Sequence, residues 1–238
     1  MKKQFINGIR LDRTNIDPQT FPYHLNCLQH FHELTLDHAV TFFCGENGSG
    51  KSTFLEAVAI ACGINPEGGS NNMQFSTYDD YSDLHRHLRL QKWVVPQTKF
   101  FLRAESFYNV ATEISNNPLL SLQYGGDLHQ CSHGESFLRL VENRFWDQGL
   151  YILDEPEAAL SAQGQITLLC HIHRLAQNGS QFLIATHSPI LLGYQYGVIH
   201  DMDRSMAVVA YEDTAAYQTY RAFLNHPHGI QQHLFEEP

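Results

Sequence analysis

Residues 40–55 read VTFFCGENGSGKSTFL, and this stretch decides the fold. Val40 to Cys44 is a short run of apolar, β-branched and aromatic residues, the composition of a strand buried on both faces of a parallel sheet. It runs directly into Gly45-Glu46-Asn47-Gly48-Ser49-Gly50-Lys51-Ser52, a full match to G-x-x-x-x-G-K-[ST]. Thr53 and the following FLEAVAIAC keep helical character, and Gly63 is the predicted stop. The order is strand, glycine-rich loop, helix. Glycines let the backbone curl so that successive N–H groups turn inward, and the helix N-terminus adds its positive dipole, so the loop is an anion site built for phosphate. In that geometry Lys51 reaches the outer phosphates and Ser52 offers its hydroxyl to Mg²⁺.

Two further apolar runs end in residues suited to the same ligand. Leu150-Tyr151-Ile152-Leu153 is followed by Asp154-Glu155-Pro156, which sets a carboxylate at the carboxyl edge of the sheet, where open α/β folds bind ligands. Asp154 is the candidate holder of Mg²⁺ and Glu155 the candidate base for an attacking water. Gln181 to Ala185 ends at Thr186-His187-Ser188-Pro189, and His187 is the candidate γ-phosphate contact.

These residues in this order resemble the ATP-binding-cassette ATPases, including the heads of DNA-repair and chromosome-maintenance proteins. GENGSGKS looks like Walker A, LYILDEPE like Walker B with its catalytic glutamate, Glu157 to Ser161 like the D-loop, and ATHSP like the switch-histidine segment. Cys131-Ser132-His133-Gly134-Glu135-Ser136 aligns with the signature L-S-G-G-Q/E, with cysteine for its leucine and histidine for its first glycine. The resemblance implies an α/β P-loop NTPase fold: a mostly parallel sheet flanked by helices, antiparallel N-terminal strands and a small helical insertion. It implies one domain over residues 1–238, the insertion over 63–130, and a signature helix starting near 132. It further implies ATP and Mg²⁺ as ligands, with phosphate contacts from Gly45 through Thr53, and a head-to-tail homodimer. In that dimer Ser132, Gly134 and Glu135 close over the partner's nucleotide, while Asp154, Ser52 and Glu105 of the first subunit face the metal. Glu105 takes the place of the family's Q-loop glutamine, with Gln74 and Gln97 as rivals; Phe21 or Tyr23 is the candidate adenine platform. The same Ser132 and Glu135 also form an S-x-x-E capping box, which needs no nucleotide, ahead of a helix whose Phe137, Leu138, Val141 and Phe145 recur at helical spacing.

The 238 residues carry 43% hydrophobic and 17% charged side chains, enough to bury a substantial core. No apolar run reaches the length of a membrane span, and MKKQFINGIRLDR lacks the apolar core of a secretory signal, so a cytoplasmic location is expected. A net charge of −10 disfavours binding nucleic acid through bulk electrostatics. The local basic cluster of His85, Arg86, His87, Arg89 and Lys92 reads as a solvated face. Five scattered cysteines read as reduced thiols, with Cys131 beside the signature. His171 and His173, two apart on a predicted helix, share no face and make no metal pair. Residues 63–82 are expected to be a surface loop, 83–93 (DLHRHLRLQKW) a short helix or strand, and 107–115 a short helix followed by a glycine-rich loop; after His187, 189–203 and 205–213 alternate like strands and 214–226 reads as a closing helix. The interval before Ser132 leaves no room for coiled-coil arms or for a full helical subdomain of the transporter kind. Three uses of such an ATPase compete: a subunit serving a nucleic-acid-processing or defence partner, a transporter's ATP-binding subunit, and an ATP-gated dimerisation scaffold. A P-loop kinase is a remote fourth.

Overall fold

The computed structural model describes residues 4–65, 82–105, 107 and 132–235. Two sheets meet there. The smaller is antiparallel, with β1 (Ile6–Leu11) between β2 (Glu33–Thr35) and β4 (Leu88–Lys92), and a helical turn, α1 (Asn26–Gln29), precedes β2. The larger contains β3 (Val40–Cys44), β5 (Thr98–Arg103), β6 (Gly149–Asp154), β7 (Gln181–Ala185), β8 (Val198–Asp201) and β9 (Ala207–Val209), in spatial order β5-β6-β7-β3-β8-β9. Every pairing in it is parallel except that of β9 with β8.

The central strands β3, β6 and β7 are buried at every residue, which explains their unbroken apolar reading. Their side chains alternate between two layers. Phe42, Tyr151, Leu153, Phe182 and Ile184 meet Phe137 and Leu140 of α4 (His133–Arg144) and Leu168 and Ile172 of α5 (Ala162–Gln177). Phe43, Ile152, Leu183 and Ala185 meet α2 (Lys51–Ala61) and the small sheet, through Phe54, Leu55 and Val58 on one side and Ile6, Ile9 and Leu11 on the other. Several residues of α2 are mediocre helix formers, each costing a few tenths of a kcal/mol against alanine. Burial of Phe54, Leu55 and Val58 contributes roughly 1.5–3 kcal/mol apiece, so packing decides the conformation. The helix stops at Gly63, whose φ of 72° is the left-handed turn expected there.

Several sequence expectations are refined. The basic stretch is both elements proposed for it, one turn of helix, α3 (Leu84–His87), followed by β4. Its charges are engaged internally: Arg89 pairs with Asp12 at 3.1 Å, and Lys92 Nζ donates to the Ala61 carbonyl at 2.9 Å. In the signature helix the buried apolar set is Phe137, Leu140, Val141 and Phe145, whereas Leu138 is only partly buried. PILL, read as part of a strand, is a helical turn, α6 (Pro189–Leu192), because Ser188 caps it and Pro189 fits its first position. The expected closing helix is α7 (Ala215–Asn225), and a second helix not read from the sequence, α8 (Pro227–Phe235), follows it. Both lie on the surface without a buried residue. Cys27, Cys44, Cys62 and Cys170 are free thiols, and burial pushes the first two up to about 12. Cys131, Gln74, the loop over 66–81 and most of the stretch 107–130 lie outside the described residues.

One buried titratable group gives the fold a pH dependence. His200 on β8 stacks on Phe43 at 5.9 Å, and its Nδ1–H donates to the Met206 carbonyl at 2.9 Å. Burial holds it below the ordinary imidazole value. The unfolded chain takes up a proton near pH ~6.5 while the fold resists it, so this contribution is present above that pH and lost as the pH falls through it. His200→Asn is expected to lose less melting temperature than the wild type between pH 7.5 and about 5.5. Equal losses would remove His200 from the account.

Candidate active site

The site gathers at the carboxyl ends of β3, β6 and β7, which the parallel register brings level: Phe43 lies opposite Ala185, and Ala185 opposite Asp154. Between β3 and α2 the loop turns on Gly45, Gly48 and Gly50, all at positive φ. At Gly50 (φ 97°) the reason is also steric, since a Cβ would stand 3.0 Å from both Cys27 Sγ and Leu25 Cδ1. Lys51 is 4% exposed, and its Nζ folds back to donate to the carbonyls of Gly45 and Glu46 at 2.9 Å each. Ser52 donates its hydroxyl to Asp154 Oδ1 at 3.1 Å.

Asp154 is 2% exposed. Burial raises its pKa to about 6, while Arg103 and the Ser52 hydroxyl act to lower it. Glu155 adopts the left-handed conformation (φ 49°), its N–H donating to the Ala185 carbonyl at 2.9 Å. This turn directs Oε1 to within 3.6 Å of Lys51 Nζ and 3.8 Å of His187 Nδ1. Lys51, Ser52, Asp154, Glu155 and His187, drawn from three separate segments, therefore converge. Asn47 and Ser49 lie in the loop itself and Thr53 in the first turn of α2.

The other candidates stand apart. Ser132 and Glu135 form the capping box: the Ser132 N–H donates to Glu135 Oε2 at 3.0 Å, and the Glu135 N–H to Ser132 Oγ at 3.4 Å. Gly134 packs so closely on the D-loop segment that a Cβ would approach the Ala159 carbonyl to 3.1 Å. Among the described residues Ser132 hydrogen-bonds to Glu135 and Ser136 and not to the phosphate loop of its own chain. Glu105 needs correcting as a metal ligand. Its side chain is 84% exposed and pairs with Arg103 at 3.7 Å, because the residue opposite Asp154 in the register is Arg103. Gln97 is excluded by topology: it bonds Gln148 at the far end of β5. Tyr23 is unavailable to adenine, being 3% exposed with its hydroxyl donating to Asp83 at 2.6 Å, whereas Phe21 is 58% exposed. His171 pairs with Glu142 and His173 with Tyr194, and the described residues contain no group of three metal-ligating side chains.

Three contacts of the site escaped the sequence reading. Glu157 Oε1 accepts the His187 N–H at 2.7 Å and lies 3.3 Å from Nδ1, so the D-loop acid orients the histidine. Asp203 Oδ2 accepts the Glu46 N–H at 2.7 Å, bracing the loop from 157 residues away. Arg103 contacts Asp154 and also Glu56 of α2. Spacing gives no local signal for any of these three contacts.

Fold and site together have the architecture of an α/β P-loop domain with a core of ATP-binding-cassette type. A family profile described as an AAA domain matches residues 23–115. An uncharacterized ABC transporter ATP-binding protein of Haemophilus influenzae is 28% identical over 202 residues, 71% of this chain and 76% of its own length. The xylose import ATP-binding protein XylG of Shigella flexneri is 30% identical over 179 residues, which span 62% of this chain but only 33% of that relative. Among solved structures, the SMC head domain from Thermotoga maritima superposes with a TM-score of 0.46 at 15% identity, covering 82% of this chain and 94% of its own. Structure cbiO1 from Clostridium perfringens gives 0.45 at 17% identity, covering 99% and 100%. No helix among the described residues is long and apolar enough to cross a membrane.

Proposed function

We propose that the chain, as a single domain, binds Mg-ATP and hydrolyses it to ADP and phosphate at the interface of a head-to-tail homodimer. The observation that carries this reading is the division of the site. One chain brings Lys51, Ser52, Asp154, Glu155 and His187 together, while its Gly134 packs on the D-loop segment and its Ser132 and Glu135 bond each other and not the phosphate loop. Ser132 and Glu135 are exposed at a helix N-terminus, with the half-buried Gly134 between them, where a second copy's phosphate can reach them.

The residues fit the ligand. The buried Ser49 Oγ has no partner among the described residues, and the loop's curled backbone directs N–H groups at one anion. Lys51 exchanges its two carbonyls for phosphate oxygens. Ser52 and Asp154 would hold Mg²⁺, which when bound would neutralise phosphate charge. Glu155 Oε1 receives a proton from the attacking water, and His187, held by Glu157, contacts the γ-phosphate. Catalysis is mainly positioning and charge neutralisation.

The cycle of closing and opening drives a partner of the nucleic-acid-processing or defence type in the cytoplasm, as the repair-head wording of the motifs suggests. A transporter's ATP-binding subunit is the second reading, favoured by the names of the two relatives. Hydrolysis stimulated by duplex DNA supports the first, and recovery with an integral membrane protein the second. The dimer is tested by the solution mass of Glu155→Gln with and without Mg-ATP. A shift from monomer to dimer on adding nucleotide is expected. Nucleotide binding by a protein that stays monomeric would end the homodimer reading.

A further inference from the structure

We infer that Arg103 is a positioning residue of the metal site: it holds the Asp154 carboxylate so that one oxygen faces Ser52, and it ties that carboxylate to the phosphate-loop helix. The inference rests on the reading of Asp154 as the Mg²⁺ carboxylate. The parallel register of β5 and β6 sets Arg103 directly beside Asp154. The two oxygens of Asp154 are divided between partners: Oδ1 accepts from Ser52 Oγ at 3.1 Å, and Oδ2 forms an ion pair with Arg103 Nε at 3.3 Å. The other side of the guanidinium reaches out of the sheet, Nη1 donating to Glu56 Oε2 at 3.2 Å. Glu56 lies on α2, one turn beyond Ser52.

The result is a closed circuit, Ser52–Asp154–Arg103–Glu56, that begins and ends on α2 and passes through β6 and β5. Its side chains are largely withdrawn from water, at 2% exposure for Asp154, 13% for Glu56 and 26% for Arg103. An aspartate turns about two side-chain torsions, so a carboxylate left unheld beside a buried cation site would sample several rotamers. The guanidinium sets its charge beside Oδ2 on one edge while Nη1 is anchored to Glu56 on the other, and so restricts that freedom in a way a single ammonium does not. Because Arg103 occupies Oδ2 and leaves Oδ1 to the Ser52 side, it supports a cation there rather than replacing one. Partners that orient a ligating group in this way are worth about 10- to 100-fold in metal affinity. Glu105, at 3.7 Å from Nη2 and 84% exposed, adds only a solvated contact.

The test titrates Mg²⁺ into full-length protein carrying a fluorescent ATP analogue, with binding in EDTA measured alongside. For Arg103→Gln the Mg²⁺ concentration at half-saturation is expected to rise about tenfold, with analogue binding in EDTA within twofold of wild type. Arg103→Lys should recover part of the loss. Glu56→Gln, which leaves the Arg103–Asp154 pair in place, should raise the half-saturation by a smaller factor and serves if Arg103→Gln does not fold. An unchanged half-saturation in both Arg103→Gln and Glu56→Gln overturns the assignment and leaves Arg103 a purely structural ion pair. A lower one overturns it in the other direction, making Arg103 a competitor of the cation. Asp154→Asn separates the two levels: if it too leaves the Mg²⁺ dependence intact, the metal reading of Asp154 falls, and the Arg103 inference with it.

Discussion

Glu155→Gln is expected to lower ATP turnover by roughly 10²–10⁴-fold, the range a positioned general base contributes, while leaving nucleotide affinity nearly unchanged. The left-handed turn at Glu155 is fixed by the backbone bond to Ala185 and not by the carboxylate, so an amide takes the same place. What is lost is the acceptor for the water's proton. The carboxylate also stands 3.6 Å from Lys51 Nζ, and removing its charge leaves that ammonium freer to meet phosphate. Binding should therefore hold or tighten slightly. Single-turnover hydrolysis measured beside equilibrium binding checks both halves. Turnover within about threefold of wild type, set against the 10²–10⁴-fold of a positioned base, would remove Glu155 from the mechanism and turn attention to His187.

Lys51→Ala should fail at the earlier step. The ammonium is almost wholly buried and, at rest, held by the carbonyls of Gly45 and Glu46, where it also faces Glu155. Phosphate oxygens replace those carbonyls as partners. Charge-assisted hydrogen bonds of this kind are worth about 1.5–3 kcal/mol each, so losing two weakens ATP binding by about 10²–10⁴-fold. The alanine chain should stay folded, because the loop's shape comes from its glycines and from the brace between Asp203 and the Glu46 N–H. Calorimetric titration with ATP, beside a circular dichroism spectrum, distinguishes lost binding from lost fold. A folded variant that still binds ATP near wild-type strength would mean that Lys51 is not the phosphate contact.

The core and half of the site were legible in the sequence for one reason: they are local. VTFFC, LYILD and QFLIA are strands whose continuous apolar reading follows from burial on both faces, and the residue that leaves each strand tip lies next to it in the chain. Gly45 to Ser52 is likewise a contiguous piece of backbone. Its shape follows from where the glycines fall, and Lys51, Ser52, Asp154, Glu155 and His187 were all placed from such neighbourhoods.

What the sequence could not decide was contact across the sheet. The Q-loop position shows this most directly: Glu105 leaves β5 where a metal contact was expected, yet the register pairs Asp154 with Arg103, two residues earlier, and turns Glu105 to solvent. Tyr23 reads as a candidate aromatic platform, but its hydroxyl finds Asp83, 60 residues away, and the ring is buried. Glu157 with His187, Asp203 with Glu46, and Arg103 with Glu56 have the same character. The sequence by itself determined the strand–loop–helix order and the chemical groups at each strand end, because periodicity and glycine placement act within a few residues. The tertiary structure alone decided which carboxylate meets which cation, since strand order and register bring together side chains that no spacing along the chain relates.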